Sequence, residues 1–118
     1  MTTQRAIHRG DVFYADLTPT VGSEQSGIRP VVILQNEAGN IHSPLVIAAP
    51  LTRSAGKKPL PTHVRLGASA PGLQPGSIIL LEQIRAIDTQ RLLEYAGSVG
   101  PERMQAIDQA LRISLGLG

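Results

Sequence analysis

Residues 11–17 (DVFYADL) alternate apolar and polar side chains around Val, Phe and Tyr, the pattern of a half-buried strand. Residues 29–35 (RPVVILQ) carry an unbroken β-branched, apolar run, which predicts a central strand; Pro30 is tolerable near its start, where a missing N–H costs least. Residues 44–51 (PLVIAAPL) predict a third strand, with Pro50 marking an edge or a bulge. Residues 62–66 (THVRL) alternate again. Residues 77–82 and 84–87 (SIILLE, IRAI) read as strand broken by a bend or bulge, and residues 93–99 as a last short strand. Asp88 is placed to cap a short turn through Arg91. The connections are rich in turn formers: residues 18–28 (TPTVGSEQSGI), the basic stretch 52–61 (TRSAGKKPLP) and 67–76 (GASAPGLQPG).

The C-terminal end predicts a helix. Pro101 suits a first helical turn, Glu102 complements the positive helix start, and Gly116 can end it. Met104, Ile107, Leu111 and Leu115 form an apolar stripe at helical spacing and are expected in the core. Ile113 and Leu117 lie off that stripe and suggest a second buried contact, a dimer interface being one candidate. Many short strands followed by one helix predict a mainly β, α+β fold: a small, curved antiparallel sheet or barrel. No internal repeat, low-complexity tract or linker divides the chain, so residues 1–118 are expected to form one domain.

Composition narrows the chemistry. Cysteine is absent, which removes disulfides, thiolate metal sites and cysteine nucleophiles. With two Tyr and one Phe, the chain is poorly equipped to stack many bases on exposed rings. No secretory signal is readable in residues 1–10, and the longest apolar run, residues 45–51, is too short to span a bilayer. A cytoplasmic protein without a membrane partner is expected. The net charge of +2 divides unevenly, with seven basic and four acidic residues through Arg65 and four and five thereafter. A basic face on the strand-rich part is therefore possible.

His8, His42 and His63 lack metal-ligand spacing, and phosphate-loop, dinucleotide and nucleophile-elbow motifs are absent. No metal and no cofactor are expected. An enzyme so equipped must work with Arg, Thr, Ser, Glu, Gln and His. RNA cleavage suits that set, because the substrate supplies its own nucleophile, the 2′-hydroxyl. The protein need only align it, move protons and stabilise phosphoryl charge. Arginine offers a fork of donors to phosphate oxygens, and threonine another hydrogen bond. Arg29 begins one predicted strand and Thr52 follows the next, so antiparallel pairing would bring them together.

Several motifs fall in one order: residues 9–12 (RGDV), 15–17 (ADL), 22–31 (GSEQSGIRPV), 36–37 (NE), 49–52 (APLT), 60–64 (LPTHV) and 81–88 (LEQIRAID). In this register the chain resembles the MazF/PemK toxin family over residues 8–117. The resemblance implies an SH3-like small β-barrel with a C-terminal helix and a two-fold homodimer. It implies metal-independent, sequence-specific cleavage of single-stranded RNA, mRNA included, that leaves a cyclic or 3′-phosphate and a 5′-hydroxyl. A MazE-like antitoxin with an acidic, partly disordered segment is the implied partner. The family's catalytic arginine and threonine correspond to Arg29 and Thr52. Some relatives carry histidine where Ser23 stands, or an Arg-x-Asp pair where Leu80, Leu81 and Glu82 stand. This chain therefore sides with the branch that relies on arginine and threonine, and Glu24 or a water is left to handle the proton.

RNA contacts are expected from Ser23, Gln25, Asn36, Arg53, Lys57, Lys58, Glu82, Gln83 and Arg85. Each has a plainer reading. Arg29 could pair with Glu24 or Asp16, Thr52 could satisfy a strand end, Glu24 and Gln25 could brace their own loop, and the lysines could simply be solvated. His63 is expected to pack structurally. Two rival functions remain: a toxin of the same fold that binds a protein such as gyrase, and a non-catalytic RNA-binding barrel.

Overall fold

The computed structural model describes residues 5–53, 58–66 and 76–118. Strands β1 (Asp11–Asp16), β2 (Ile28–Ile33) and β3 (Leu45–Thr52) form the centre of an antiparallel sheet. The flanks are β4 (His63–Arg65), β5 (Ile78–Leu80), β6 (Arg85–Asp88) and β7 (Leu92–Ser98). The hydrogen-bonded order is β4-β5-β3-β2-β1-β7, with β6 also paired to β3. One edge of β3 thus serves two partners, β6 along Leu45–Ala48 and β5 along Leu51–Thr52. Register shifts between β1 and β7 at Phe13 add bend and twist to the sheet. The result is barrel-like, as expected, with no ladder between β4 and β7 among the described residues.

Val31, Val32 and Ile33 are each fully buried because β2 is covered on both faces. Val12, Val32, Ala49 and Leu51 point to one side, where Ile79, Ile107 and Ala110 meet them. Phe13, Ala15, Val31 and Ile33 point to the other, against Val46, Ala48, Ile87 and Leu92. The period of two along each strand assigns residues to these clusters. Each fully buried aliphatic side chain contributes roughly 1.5–3 kcal/mol. Phe13 packs edge-on to Tyr95 at 5.5 Å between centroids, and truncating it to Ala would cost about 3–5 kcal/mol.

Helix α2 (Gly100–Leu115) covers the first cluster. It carries Pro101 in its first turn and ends where Gly116 adopts φ 70°, a left-handed conformation that lets the Leu117 N–H reach the Arg112 carbonyl at 2.8 Å. The apolar stripe holds through Met104, Ile107 and Leu111, but Leu115 is 54% exposed. At 3.6 residues per turn Leu115 lies about 80° around the helix from Ile107, whereas Ser114 lies almost in line with it. Ser114 accordingly faces inward, its hydroxyl donating to the Leu81 carbonyl at 2.8 Å. Ile113 and Leu117 are also exposed.

Sequence patterning missed the short helix α1 (Glu37–His42). Its signal was present: Asn36 accepts from the Gly39 N–H as an N-cap, and Glu37 occupies the first turn. The predicted strand 77–82 stops at Leu80 and gives way to a 3-10 turn, Leu81–Gln83. Asp88 does cap the turn through Arg91, accepting from the Gln90 N–H at 2.8 Å. No described helix is long and apolar enough to cross a membrane.

Candidate active site

Two prolines shape the end of the sheet. Val31 pairs with Pro50 in the last register of the β2–β3 ladder, and continuing that register would set Pro30 against Leu51 and Arg29 against Thr52. Pro30 has no N–H to extend the ladder. Beyond it β3 pairs only with β5, so the strands part. The gap is a cavity of about 260 Å³ lined by Arg29, Thr52, Arg53, Tyr14 and Ser77, among others. Pro50 belongs to neither the β5 nor the β6 ladder of β3, so its missing N–H falls between them.

Arg29 is half-buried, and its Nε donates to the Ser26 carbonyl at 2.8 Å. Among the described residues it forms no ion pair. Both carboxylates that could have taken it are occupied elsewhere. Glu24 accepts from the Val21 N–H at 2.7 Å, and Asp16 accepts from the Thr18 N–H at 3.1 Å and hydroxyl at 2.6 Å. The Thr18 hydrogen bonds hold the Asp16 carboxyl below the usual range. Thr52 is buried to 9% exposure at the cavity wall. Two guanidinium groups, two hydroxyls and a phenol thus line this cavity and no carboxylate does, which suits a phosphate group.

A second cavity, of about 360 Å³, is lined by Pro50, Glu24, Gln25, Glu82, Gln83 and Arg85, with Leu17. The long 18–27 connection folds over it. Its stem is held by Arg85, which donates to the Leu17 carbonyl at 3.3 Å, and by Arg91, which donates to the Asp16 and Thr18 carbonyls. Gln83 accepts from the Gln25 N–H at 2.9 Å and donates to the Ser23 carbonyl. Mixed donors and acceptors in this cavity suit the edges of a nucleobase. Glu24 lies here, not in the Arg29 cavity.

Glu82 accepts from the Thr62 hydroxyl and from His63 Nε2, each at 2.9 Å. Partial burial pushes its pKa upward. Hydrogen bonds from its own N–H, His63 and Thr62 outweigh that effect and leave the carboxyl below the usual glutamate range. His63 Nδ1 accepts from the Leu60 N–H, so both ring nitrogens serve structure, as expected.

Comparison with known proteins meets this geometry. The family of PemK-like, MazF-like toxins of type II toxin–antitoxin systems matches residues 8–115. The chain belongs to that family. Endoribonuclease EndoA of Bacillus subtilis (strain 168) is 50% identical over 111 residues, covering 94% of this chain and 96% of the relative. A mycobacterial endoribonuclease, solved in complex with its cognate antitoxin, is 33% identical with a TM-score of 0.81, over 96% of this chain and 98% of that one. MazF from Deinococcus radiodurans is 27% identical with a TM-score of 0.81, over 96% and 99%.

For a MazF-like toxin the placement of the remaining candidates is informative. Asn36 caps α1 and lines neither cavity. Ser23 and Lys58 are exposed, Ser23 offering its carbonyl to Gln83. Lys57 lies outside the described residues. Tyr14 and Ser77 were not foreseen. Tyr14 could have been found, since it carries a polar tip between the apolar residues Phe13 and Ala15, and in the structure it is the register partner of Pro30. Ser77 enters the cavity only through the pairing of β5 with the end of β3. Among the described residues no group of three or more His, Asp or Glu is placed to hold a metal ion.

Proposed function

We propose that this MazF-like toxin is a sequence-specific endoribonuclease that cleaves single-stranded RNA, mRNA included, by attack of the substrate's 2′-hydroxyl on the adjacent phosphorus. The observation that carries the reading is the cavity between the parted ends of β2 and β3, where Arg29, without a carboxylate partner among the described residues, shares a wall with Thr52. The reaction forms an O2′–P bond and breaks the P–O5′ bond. It leaves a 2′,3′-cyclic phosphate, opened by water to a 3′-phosphate, and a 5′-hydroxyl that takes up a proton. Arg29 donates to the non-bridging oxygens as charge grows on them, and the Thr52 hydroxyl adds a further hydrogen bond. Neither role needs a metal ion. Arg53 and Lys58 attract the flanking backbone.

The second cavity receives a base beside the scissile phosphate, with Gln25, Glu82 and Arg85 offering the groups that choose it. Glu24, in that cavity, or a water takes the proton from the 2′-hydroxyl. The toxin acts in the cytoplasm as a homodimer, its 1–118 chain forming one domain. Its antitoxin, of the kind bound by the mycobacterial relative, lays an acidic segment over the Arg29 cavity.

Incubating the protein with a long single-stranded RNA in EDTA and mapping the new ends tests this reading. Discrete cuts at one short sequence, each bearing a 5′-hydroxyl, are expected. Intact RNA, bound with a steep salt dependence, would replace the enzyme with a non-catalytic RNA-binding barrel.

A further inference from the structure

The 18–27 connection is anchored at its stem, but among the described hydrogen bonds residues 21–25 at its tip have one fastening to the rest of the barrel, the side-chain amide of Gln83. That amide uses both ends on the loop backbone. Its Oε1 accepts from the Gln25 N–H at 2.9 Å, and its Nε2 donates to the Ser23 carbonyl at 3.5 Å. Ser23, Glu24 and Ser26 are exposed, and the bonds of Glu24 reach only Val21 within the same loop.

Gln83 itself stands on firm ground. Its 3-10 turn is tied to the start of β4 by the Leu81 N–H on the Thr62 carbonyl at 3.0 Å and by Glu82 on Thr62 and His63. Ser114 of α2 secures the same turn through the Leu81 carbonyl. A fixed donor–acceptor pair therefore grips a light, exposed loop. The next residue after the gripped segment is Ser26, and its carbonyl holds Arg29 Nε at 2.8 Å.

We propose that Gln83 is a positioning residue. By fastening the 23–25 backbone to the 3-10 turn it sets the direction of the Ser26 carbonyl, and through that carbonyl the aim of the Arg29 guanidinium into its cavity. The inference rests on the reading of Arg29 as the phosphate-holding group. A guanidinium is a planar fork, so fixing Nε fixes the direction in which its remaining donors point. Small errors in such aim reduce the rate far more than they reduce binding.

The test compares wild type, Gln83→Leu and Gln83→Glu in two readouts, amide exchange of Gln25 by NMR without RNA, and kcat and KM for RNA cleavage. In Gln83→Leu the Gln25 amide is expected to exchange about tenfold faster, with kcat down about tenfold, KM within about twofold and the cut sequence unchanged. Gln83→Glu keeps an acceptor for the Gln25 N–H and is expected to restore most of the protection and most of kcat. Unchanged Gln25 exchange in Gln83→Leu would overturn the fastening whether or not the protein cuts RNA. A raised KM or altered cut sequence at unchanged kcat would overturn positioning in favour of direct contact with the RNA. Wild-type protein that leaves RNA intact while its Gln25 amide is protected through Gln83 would overturn the functional reading and leave the fastening standing.

Discussion

Arg9 and Arg29 both stand where the chain enters a strand, and the protein treats them in opposite ways. Arg9 is saturated. Its Nε donates to the Leu34 carbonyl at 2.8 Å, its Nη2 to Asp108 at 2.6 Å, and its backbone N–H to Glu37 at 3.0 Å. It thereby joins the segment before β1 to the end of β2, to α1 and to α2. Among the described residues the Arg29 side chain makes one hydrogen bond, from Nε to a neutral carbonyl, and the nearby acids are engaged by backbone and hydroxyl donors instead. A carboxylate on Arg29 would neutralise the charge that a phosphate must meet. The difference shows how one side chain can hold a fold or serve a substrate, depending on whether its donors are already used.

Substitution separates the two roles. Arg29→Ala is expected to lower the cleavage rate roughly a thousandfold, with unfolding free energy changed by less than about 1 kcal/mol. Thr52→Val, which keeps shape and removes the hydroxyl, should cost less, about ten- to a hundredfold. If either variant cleaves RNA at the wild-type rate, the site is misassigned. Arg9→Met should show the reverse pattern in denaturant titration. About 1–3 kcal/mol of stability is lost, toward the lower end because the pair with Asp108 is partly exposed, while kcat of the folded protein stays within about twofold. A large kcat loss there would erase the contrast.

The smallest effect concerns Glu82. Its folded-state carboxyl is held below the ordinary glutamate value, so its contribution to stability is present above that value and is lost as pH falls through the folded one. Thermal unfolding of wild type and Glu82→Gln should therefore differ near neutrality by under about 1 kcal/mol, the side chain being partly exposed, and converge in acid. A gap that widens on acidification would reverse the assignment.

Most of this architecture could be read from the residues. The Val31–Leu34 run marked the central strand, Pro101 and Gly116 bracketed α2, and antiparallel neighbours placed Arg29 near Thr52. The parting of the strands at Pro30 could not be read, because it depends on which ladder each proline's missing N–H interrupts. Neither could the use of Gln83, which meets Gln25 across 58 positions in the chain. Asn36 shows the converse: a residue suited to reading bases is committed to a local cap, a role its own neighbours already signalled.

The most direct measurement of the central claim uses one RNA with a single 2′-deoxy nucleotide at the position just 5′ to the cut, incubated with the protein in EDTA. If the substrate supplies the nucleophile and Arg29 with Thr52 serves the phosphate, the all-ribose strand is cut to a 5′-hydroxyl and the deoxy-substituted strand stays whole at that site. Cleavage of the substituted strand at the same position would contradict the account.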